Sequence, residues 1–204
     1  MTKKNYKVIV FDLGDVLLNV DSQRLIDKLN KVEHGLGERF HSLYFENYHI
    51  HCEYEKSNIS LEEFTQEMLT WLDYKISAED FYNYYSDLFS PIEETINLLP
   101  LLKEKYKLVL LSNTNFIHQK YGWEKYEFLK YFDKLILSHE IGSRKPEKNI
   151  YKAVENFTGS SPSEHFFIDD LLENVEAAKH LGWDAVQYLK SDSFTFLLKG
   201  KYII

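Results

Sequence analysis

Four separate segments of the chain place chemically capable side chains where a short apolar run stops. The first run is followed by Asp12, the second leads into Ser112, and a later one is followed by Asp169 and Asp170. Lys145 lies a few residues beyond a further short run. A carboxylate at the end of a buried strand is costly unless it is paired or takes part in chemistry. Because the arrangement recurs, it indicates one shared site.

Phosphoryl transfer is the chemistry that these residue types suit. Like charges about 4 Å apart cost on the order of 4 kcal/mol at an effective dielectric constant near 20, so three gathered carboxylates need a cation. Oxygen ligands with room for water favour Mg²⁺. Lys145 and the Ser112 hydroxyl would then face an anion shared with the metal, and backbone N–H groups around Leu13 and Gly14 would complete a phosphate cradle. A carboxylate nucleophile, a metal and a lysine are the groups that this reaction requires.

Parallel strands are the elements that would bring these side chains together. Residues 8–11 form an apolar, β-branched run that is typical of an inner strand buried on both faces. After residue 91, predicted strands at 107–111, 135–137, 166–168 and 185–188 alternate with helical segments, among them 147–157 and 173–181. Such alternation predicts an α/β fold with a parallel sheet, whose strands all end at one edge.

The segment between the first strand and the rest of the sheet is predicted to be helical. Gly35 and Gly37 are expected to end its first helix, and Ser60 with Glu63 forms a capping box for a later one. Ser90, Pro91 and Glu93 predict a helix start on return to the sheet. We therefore expect a core of residues 1–19 and 91–204 with an inserted α-helical cap of residues 20–90.

Composition and charge limit the partners of the chain. The formal net charge is −8 and the basic residues are scattered, which argues against a nucleic-acid partner. No apolar stretch approaches the roughly 20 residues of a membrane span, and the N-terminal apolar run is too short for a signal peptide. A single cysteine, Cys52, rules out an internal disulfide and fits a reducing compartment. We expect a cytoplasmic protein with no membrane partner, whose oligomeric state the sequence does not give.

Taken together, the motifs resemble those of the haloacid dehalogenase-like hydrolases. Asp12 matches the first motif, Ser112 the second, Lys145 in RKPE the third, and Asp169 and Asp170 followed by Asn174 the fourth. The resemblance covers essentially the whole chain. The segments FDLGDV, LSNTN, GSRKPEKNIY and FFIDDLLENVEAA are most similar to the bacterial α-D-glucose-1-phosphate phosphatase branch.

The resemblance implies a Mg²⁺-dependent phosphatase with a Rossmann-like core and a cap that chooses the substrate. Asp12 would form an aspartyl-phosphate, and Mg²⁺ would be held by Asp12, the carbonyl of Gly14 and Asp170, with Asp169 close by. The expected substrate is a small phosphorylated metabolite, with a sugar phosphate such as a hexose 1-phosphate as the leading candidate. The groups expected to contact phosphate are Leu13, Gly14, Ser112, Asn113 and Lys145. Asn174 is expected to contact the metal ligands and hold them in place without binding the metal itself.

Gly14 is a departure from most phosphatases of this family, which carry an aspartate there as general acid and base. The loss removes a proton donor that is typically worth roughly 10²–10⁴-fold in rate, so we expect slow turnover with poor leaving groups unless another group replaces it. Asp15 is adjacent, but on an extended chain its side chain would point elsewhere. A cap residue or a water molecule is an equally plausible replacement.

Other interpretations of these residues stay open at this point. A 2-haloacid dehalogenase uses the same nucleophile without a metal, although the Asp169 and Asp170 pair argues against it. A non-catalytic binding protein could keep the fold. The run His49 to Glu53 suggests a transition-metal site, but its spacing fits no zinc motif and favours a polar cap helix. A residue of that run, or Tyr44, Tyr48 or Tyr54, could line the substrate pocket.

Overall fold

The computed structural model describes residues 5–189, 193–201 and 203–204, and within them five parallel strands form the central sheet. The strands in chain order are β1 (Val8–Phe11), β2 (Leu18–Val20), β3 (Phe89–Pro91), β4 (Lys107–Ser112), β5 (Lys134–Leu137), β6 (His165–Asp169) and β7 (Asp184–Gln187). The sheet has the order β5-β4-β1-β6-β7, so β1 is central. Phe11 pairs with Leu110 on one side and Ile168 on the other, which brings the ends of three strands to one level. The predicted α/β fold is confirmed.

Helices cover both faces of this sheet. The α-helices in chain order are α1 (Gln23–Val32), α2 (Leu36–Glu46), α3 (Tyr48–Glu55), α4 (Leu61–Trp71), α5 (Ala78–Ser86), α6 (Glu93–Ile96), α7 (Leu99–Lys103), α8 (Ser138–Ile141), α9 (Lys148–Thr158), α10 (Leu172–His180) and α11 (Phe194–Gly200). Ile9 and Phe11 pack into one core cluster with α7 and α11, while Val8 and Val10 pack against α9 and α10 on the other face. In the described ranges, none of the helices combines the length and the apolar character that crossing a membrane requires.

Helices α1 to α5 surround a second hydrophobic core. Leu29, Phe40, Phe64, Met68 and Phe81 are among its fully or almost fully buried members. The predicted capping box at the start of α4 is present, with Ser60 Oγ accepting from the N–H of Glu63. This helical unit lies where the cap is expected, and its limits at residues 20 and 90 stay a prediction.

A short antiparallel ribbon joins the helical unit to the sheet and corrects one prediction. Strand β2 pairs with β3, with Asn19 opposite Ser90, where the chain leaves the sheet region and where it returns. The N–H of Ile92 also donates to the carbonyl of Leu17 at 2.8 Å. The prediction that a helix starts at Ser90 is therefore wrong: α6 starts at Glu93 after N-cap Ile92, because pairing with β2 keeps Ser90 and Pro91 extended.

The two glycines after α1 have different roles, only one of which was predicted. Helix α1 ends at Val32, and Gly35 at φ +82° forms the turn before α2. Gly37 does not end a helix but lies inside α2, where it is buried against α1. A Cβ atom at Gly37 would lie 2.3 Å from the carbonyl oxygen of Ile26. The absence of a side chain lets the two helices approach closely.

Replacing Gly37 with alanine should therefore destabilise the helical unit. We expect Gly37→Ala to lower the free energy of unfolding by about 1–3 kcal/mol, since backbone has to move to admit the methyl group. Urea denaturation followed by circular dichroism measures the change. Gly200→Ala is the matched control, because a Cβ there meets nothing within 4 Å. Equal stability of both variants would contradict the close packing of α1 and α2.

Candidate active site

Lys145 is the centre of the candidate site. Its side chain is 2% exposed, and its Nζ lies 2.5 Å from Oδ1 of Asp12 and 2.7 Å from Oδ2 of Asp169. These contacts join the ends of β1 and β6 to the loop before α9. Burial disfavours the charged form of the lysine, but the two carboxylates outweigh it and the pKa of Lys145 lies above its ordinary value. The charged ammonium group of Lys145 is thus fixed at the edge of the sheet.

Asn113 fixes the backbone that carries this lysine. Its side-chain amide donates to the carbonyl of Lys145 at 2.9 Å, and its side-chain oxygen accepts from the N–H of Lys145 at 2.7 Å. Asn113 directly follows β4. The predicted phosphate ligand Asn113 therefore has both ends of its amide engaged with the lysine backbone, and it positions Lys145.

Asp169 is fully enclosed by partners. Besides Lys145, its carboxylate accepts from the N–H of Leu171 at 2.8 Å and from Nδ2 of Asn174 at 3.0 Å. Asn174 is itself buried in the first turns of α10. With both oxygens engaged, Asp169 orients Lys145 and the start of α10, while Asp12 and Asp170 are the freer carboxylates.

Asp12, Asp169 and Asp170 form a cluster whose ligand oxygens lie within 4.8 Å of one another. Burial raises the pKa of Asp12 to about 8, although the cation of Lys145 acts in the opposite direction. Burial and the neighbouring charge of Asp169 raise the pKa of Asp170 to about 6. Three acids with one lysine leave excess negative charge, and a divalent cation with oxygen ligands would balance it.

Potential donors to an anion surround the open side of Asp12. Leu13 and Gly14 directly follow Asp12, and none of the described residues accepts a hydrogen bond from either N–H. The hydroxyl of Ser112 is buried, and within the described part of the chain its one hydrogen bond is a long one of 3.3 Å to the carbonyl of Asn113. Leu13, Gly14 and Ser112 line one cavity, so these donors can meet an oxyanion there.

Asp15 does not lie on an extended chain, so that premise of its predicted orientation is wrong. Its φ is +52°, and its side-chain oxygen accepts from the N–H of Val20 at 3.2 Å. The turn places Asp15 on the same cavity as Asp12 and Asp170. Asp15 is thus near the site, while its carboxylate also holds the turn into β2.

Two cap residues and one core residue complete the cavity, and two of the three, Glu55 and Arg144, were not predicted from the sequence. Tyr48 and Glu55 in α3 and Arg144 in the loop before α9 line it together with Asp12. The spacing of His51 and Glu55, four residues apart on one helix face, was the available signal. The predicted candidates Tyr44 and Tyr54 lie elsewhere: Tyr44 bonds to His51, and Tyr54 stacks on Phe64 in the cap core.

The charges buried at this site predict what happens when the ammonium group of Lys145 is removed. Lys145→Met should lower the free energy of unfolding in metal-free buffer by about 3–5 kcal/mol at pH 8. The loss should be smaller at pH 5, because carboxylates with raised pKa values are protonated there and no longer repel one another. Denaturant unfolding at both pH values measures this loss of free energy, and Lys148→Met, at an exposed position, is the control. A loss independent of pH would contradict the arrangement.

Comparisons with known proteins agree with the geometry. Residues 6–182 match the haloacid dehalogenase-like hydrolases. A D-ribitol-5-phosphate phosphatase of Bacteroides thetaiotaomicron is 28% identical over 191 residues, which cover 89% of this chain and 91% of that protein. A glyceraldehyde 3-phosphate phosphatase of Pyrococcus furiosus is 26% identical over 207 residues, which cover 91% of this chain and 81% of that protein.

A solved structure extends the comparison to the fold. A haloacid dehalogenase-family enzyme of Bacteroides thetaiotaomicron, in complex with magnesium and inorganic phosphate, has a TM-score of 0.82 at 31% identity, covering 94% of this chain and 98% of that one. The names of the two phosphatases agree with the predicted enzyme class. None of these three proteins is named as a glucose-1-phosphate phosphatase, so the similarity of this chain to that branch stays a prediction. The match over residues 6–182 establishes that the chain belongs to the haloacid dehalogenase-like hydrolases.

Proposed function

We propose that this chain is a Mg²⁺-dependent phosphatase that hydrolyses a small sugar or polyol phosphate. The observation that carries the proposal is the contact of Lys145 with both Asp12 and Asp169, beside the third carboxylate of Asp170. A buried nucleophile candidate, a fixed cation and acidic ligands are together what phosphoryl transfer needs. The related phosphatases support the same reaction.

The residues present fit a magnesium ion. Asp12 and Asp170 offer carboxylate oxygens, and the family resemblance adds the backbone carbonyl of Gly14, which gives a hard oxygen set that leaves room for water. When bound, Mg²⁺ would neutralise this charge and polarise the phosphoryl oxygens. Asp169 is assigned to Lys145, since its oxygens already accept from Lys145, Leu171 and Asn174.

Each remaining group has a role in moving the phosphoryl group. Lys145 holds Oδ1 of Asp12, and the carboxylate attacks phosphorus in line while the bond to the leaving-group oxygen breaks. Lys145, the Ser112 hydroxyl and the N–H groups of Leu13 and Gly14 stabilise the charge on the phosphoryl oxygens. Water then hydrolyses the aspartyl-phosphate and releases phosphate.

The substrate class is argued from relatives and from the cavity. The two related phosphatases are named for D-ribitol 5-phosphate and glyceraldehyde 3-phosphate, both short hydroxylated phosphate esters. The cap residues His51 and Glu55 line the cavity beside Gly14 and Ser112, so the cap contacts the space that a leaving group would occupy. A hexose 1-phosphate, as the branch resemblance implies, stays one candidate within this class.

Two other functions are less well supported. A metal-independent dehalogenase has no need for Asp170 beside the nucleophile, yet here its carboxylate is kept in a cluster that repels it. A non-catalytic protein has no need to bury a lysine between two carboxylates, an arrangement that seldom favours stability over apolar packing.

Asp12→Asn should abolish hydrolysis of p-nitrophenyl phosphate in the presence of Mg²⁺, with a loss of at least about 10³-fold in kcat, because the amide is not a nucleophile. A chelator should abolish wild-type activity, and added Mg²⁺ should restore it. Release of p-nitrophenol measures both. Hydrolysis of p-nitrophenyl phosphate that survives the chelator would contradict the Mg²⁺ requirement, and full activity of Asp12→Asn would exclude Asp12 as the nucleophile.

Gly14→Asp should supply the missing general acid. A Cβ at Gly14 would meet only a methyl group of Val20 at 3.4 Å, and its φ is not positive, so the site admits a side chain. We expect kcat for an alkyl phosphate to rise by about tenfold or more, with little change for an aryl phosphate whose leaving group needs no proton. Gly14→Asn is the control, since it adds bulk without an acid. Equal rates for the two variants would contradict this account of slow turnover.

A further inference from the structure

We propose that Glu55 of the cap and Arg144 of the core form a recognition pair that selects neutral, hydroxylated leaving groups and rejects those carrying a second anion. The inference rests on the proposed phosphatase activity and adds to it the residues that choose the substrate. It assigns a role to the helix that carries the run from His49 to Glu53, which the proposed reaction does not use.

Glu55 and Arg144 contact each other across the cavity. Oε2 of Glu55 accepts from Nε of Arg144 at 2.9 Å, and their side chains are 6% and 23% exposed. Both residues line the cavity that also contains Asp12, Asp170 and Lys145. Arg144 directly precedes Lys145, whose backbone Asn113 holds on both sides. The guanidinium is therefore placed with respect to the reacting phosphorus.

The other oxygen of Glu55 is fixed from inside the cap. Oε1 lies 3.1 Å from Nε2 of His51, and Nδ1 of His51 lies 2.6 Å from the hydroxyl of Tyr44 and 2.9 Å from that of Tyr85. Burial works against the charge on Glu55, but His51 and Arg144 outweigh it and hold the pKa of Glu55 below its ordinary value. An ionised carboxylate cannot donate a proton, so Glu55 is an acceptor and not the missing general acid.

Arg144 keeps unused donors on the cavity side. Among the described residues, only Glu55 accepts from its guanidinium, and it does so through Nε, which leaves the Nη groups without a protein acceptor. A guanidinium donor next to a carboxylate acceptor matches a hydroxyl group, which both accepts and donates. The pair can therefore bind hydroxyls of a sugar or polyol beside the phosphate.

The same pair disfavours a second anion. Glu55 already balances the charge of Arg144, and the carboxylates of Asp12 and Asp170 line the same cavity. A leaving group with a carboxylate or a second phosphate would meet Glu55 directly, and like charges in contact are costly. Removing the charge of Glu55 without changing its shape would leave Arg144 available to that anion.

A purely structural contact between cap and core is the competing explanation. The cap also contacts the core through Ser57, whose hydroxyl donates to the carbonyl of His139 at 2.7 Å, and Ser57 is not among the residues lining the cavity. Ser57→Ala therefore removes a cap-to-core contact away from the cavity. A structural role for Glu55 predicts equal loss on all substrates, whereas a recognition role predicts a change in selectivity.

Glycerol 3-phosphate and 3-phosphoglycerate test the inference, since they differ only by a hydroxymethyl group in place of a carboxylate. The ratio of their kcat/KM values is measured by phosphate release with Mg²⁺. We expect the wild type to prefer glycerol 3-phosphate by about tenfold or more, and Glu55→Gln to shift the ratio toward 3-phosphoglycerate by about tenfold. Ser57→Ala should keep the wild-type ratio. Should Glu55→Gln fail to fold, Arg144→Gln serves instead and should move the ratio in the opposite direction.

The outcomes separate this inference from the proposed function. An unchanged ratio in both Glu55→Gln and Arg144→Gln, or a wild type without preference, overturns the recognition role while p-nitrophenyl phosphate hydrolysis still supports a phosphatase. A wild type that hydrolyses no phosphate ester, p-nitrophenyl phosphate included, overturns the proposed function and the inference with it.

Discussion

A lysine ammonium group buried between two carboxylates is the constraint on which the rest of this structure depends. Lys145 is almost completely enclosed, so its charge is tolerable only because Asp12 and Asp169 accept from it at 2.5 and 2.7 Å. Those acids are brought together because β1 and β6 are adjacent parallel strands that end at the same level. The sheet order and the burial of β1 on both faces are thus conditions for the site.

The site has more acidic than basic groups, and this excess of negative charge suits it to bind a cation. Lys145 balances part of the charge, and Asp170 remains as a third carboxylate within 4.8 Å. Burial and the neighbouring carboxylates raise the pKa values of Asp12 and Asp170, because charged carboxylates are poorly solvated and repel one another at this site. A divalent cation bound among these acids would offset that repulsion. The cap adds Glu55 and Tyr48 above this centre, so the same cavity joins the reacting group to the group that is recognised.

Local patterns were enough to predict the parallel sheet, while the roles of the residues at its edge stay predictions. Apolar runs that end in polar or charged residues mark both the strands and the positions where they end, which is why the sequence singled out Asp12, Ser112, Asp169 and Asp170, with Lys145 beyond a further run. The β2 and β3 ribbon was missed because each strand has three residues and pairs with a partner about 70 residues away. Local propensity at Ser90 and Pro91 favoured a helix start, and the tertiary pairing outweighed it.

The sequence also could not predict where several side chains point or which residues surround them. The turn at Asp15 depends on a positive φ that Asp adopts only occasionally, so its place on the cavity could not be foreseen. Gly37 resembled a helix stop because the close approach of α1 and α2 is not visible locally. Glu55 and His51 are ordinary polar residues of a helix until Arg144, Tyr44 and Tyr85 surround them.

Calorimetric titration of the metal-free protein with Mg²⁺ tests the central claim most directly. At pH 7, in two buffers of different ionisation enthalpy, one ion should bind with release of protons, because binding ionises carboxylates whose pKa values are about 8 and about 6. Asp170→Asn should weaken binding by about tenfold or more. Absence of binding, or equal affinity in Asp170→Asn, would contradict a magnesium site built from the acids around Lys145.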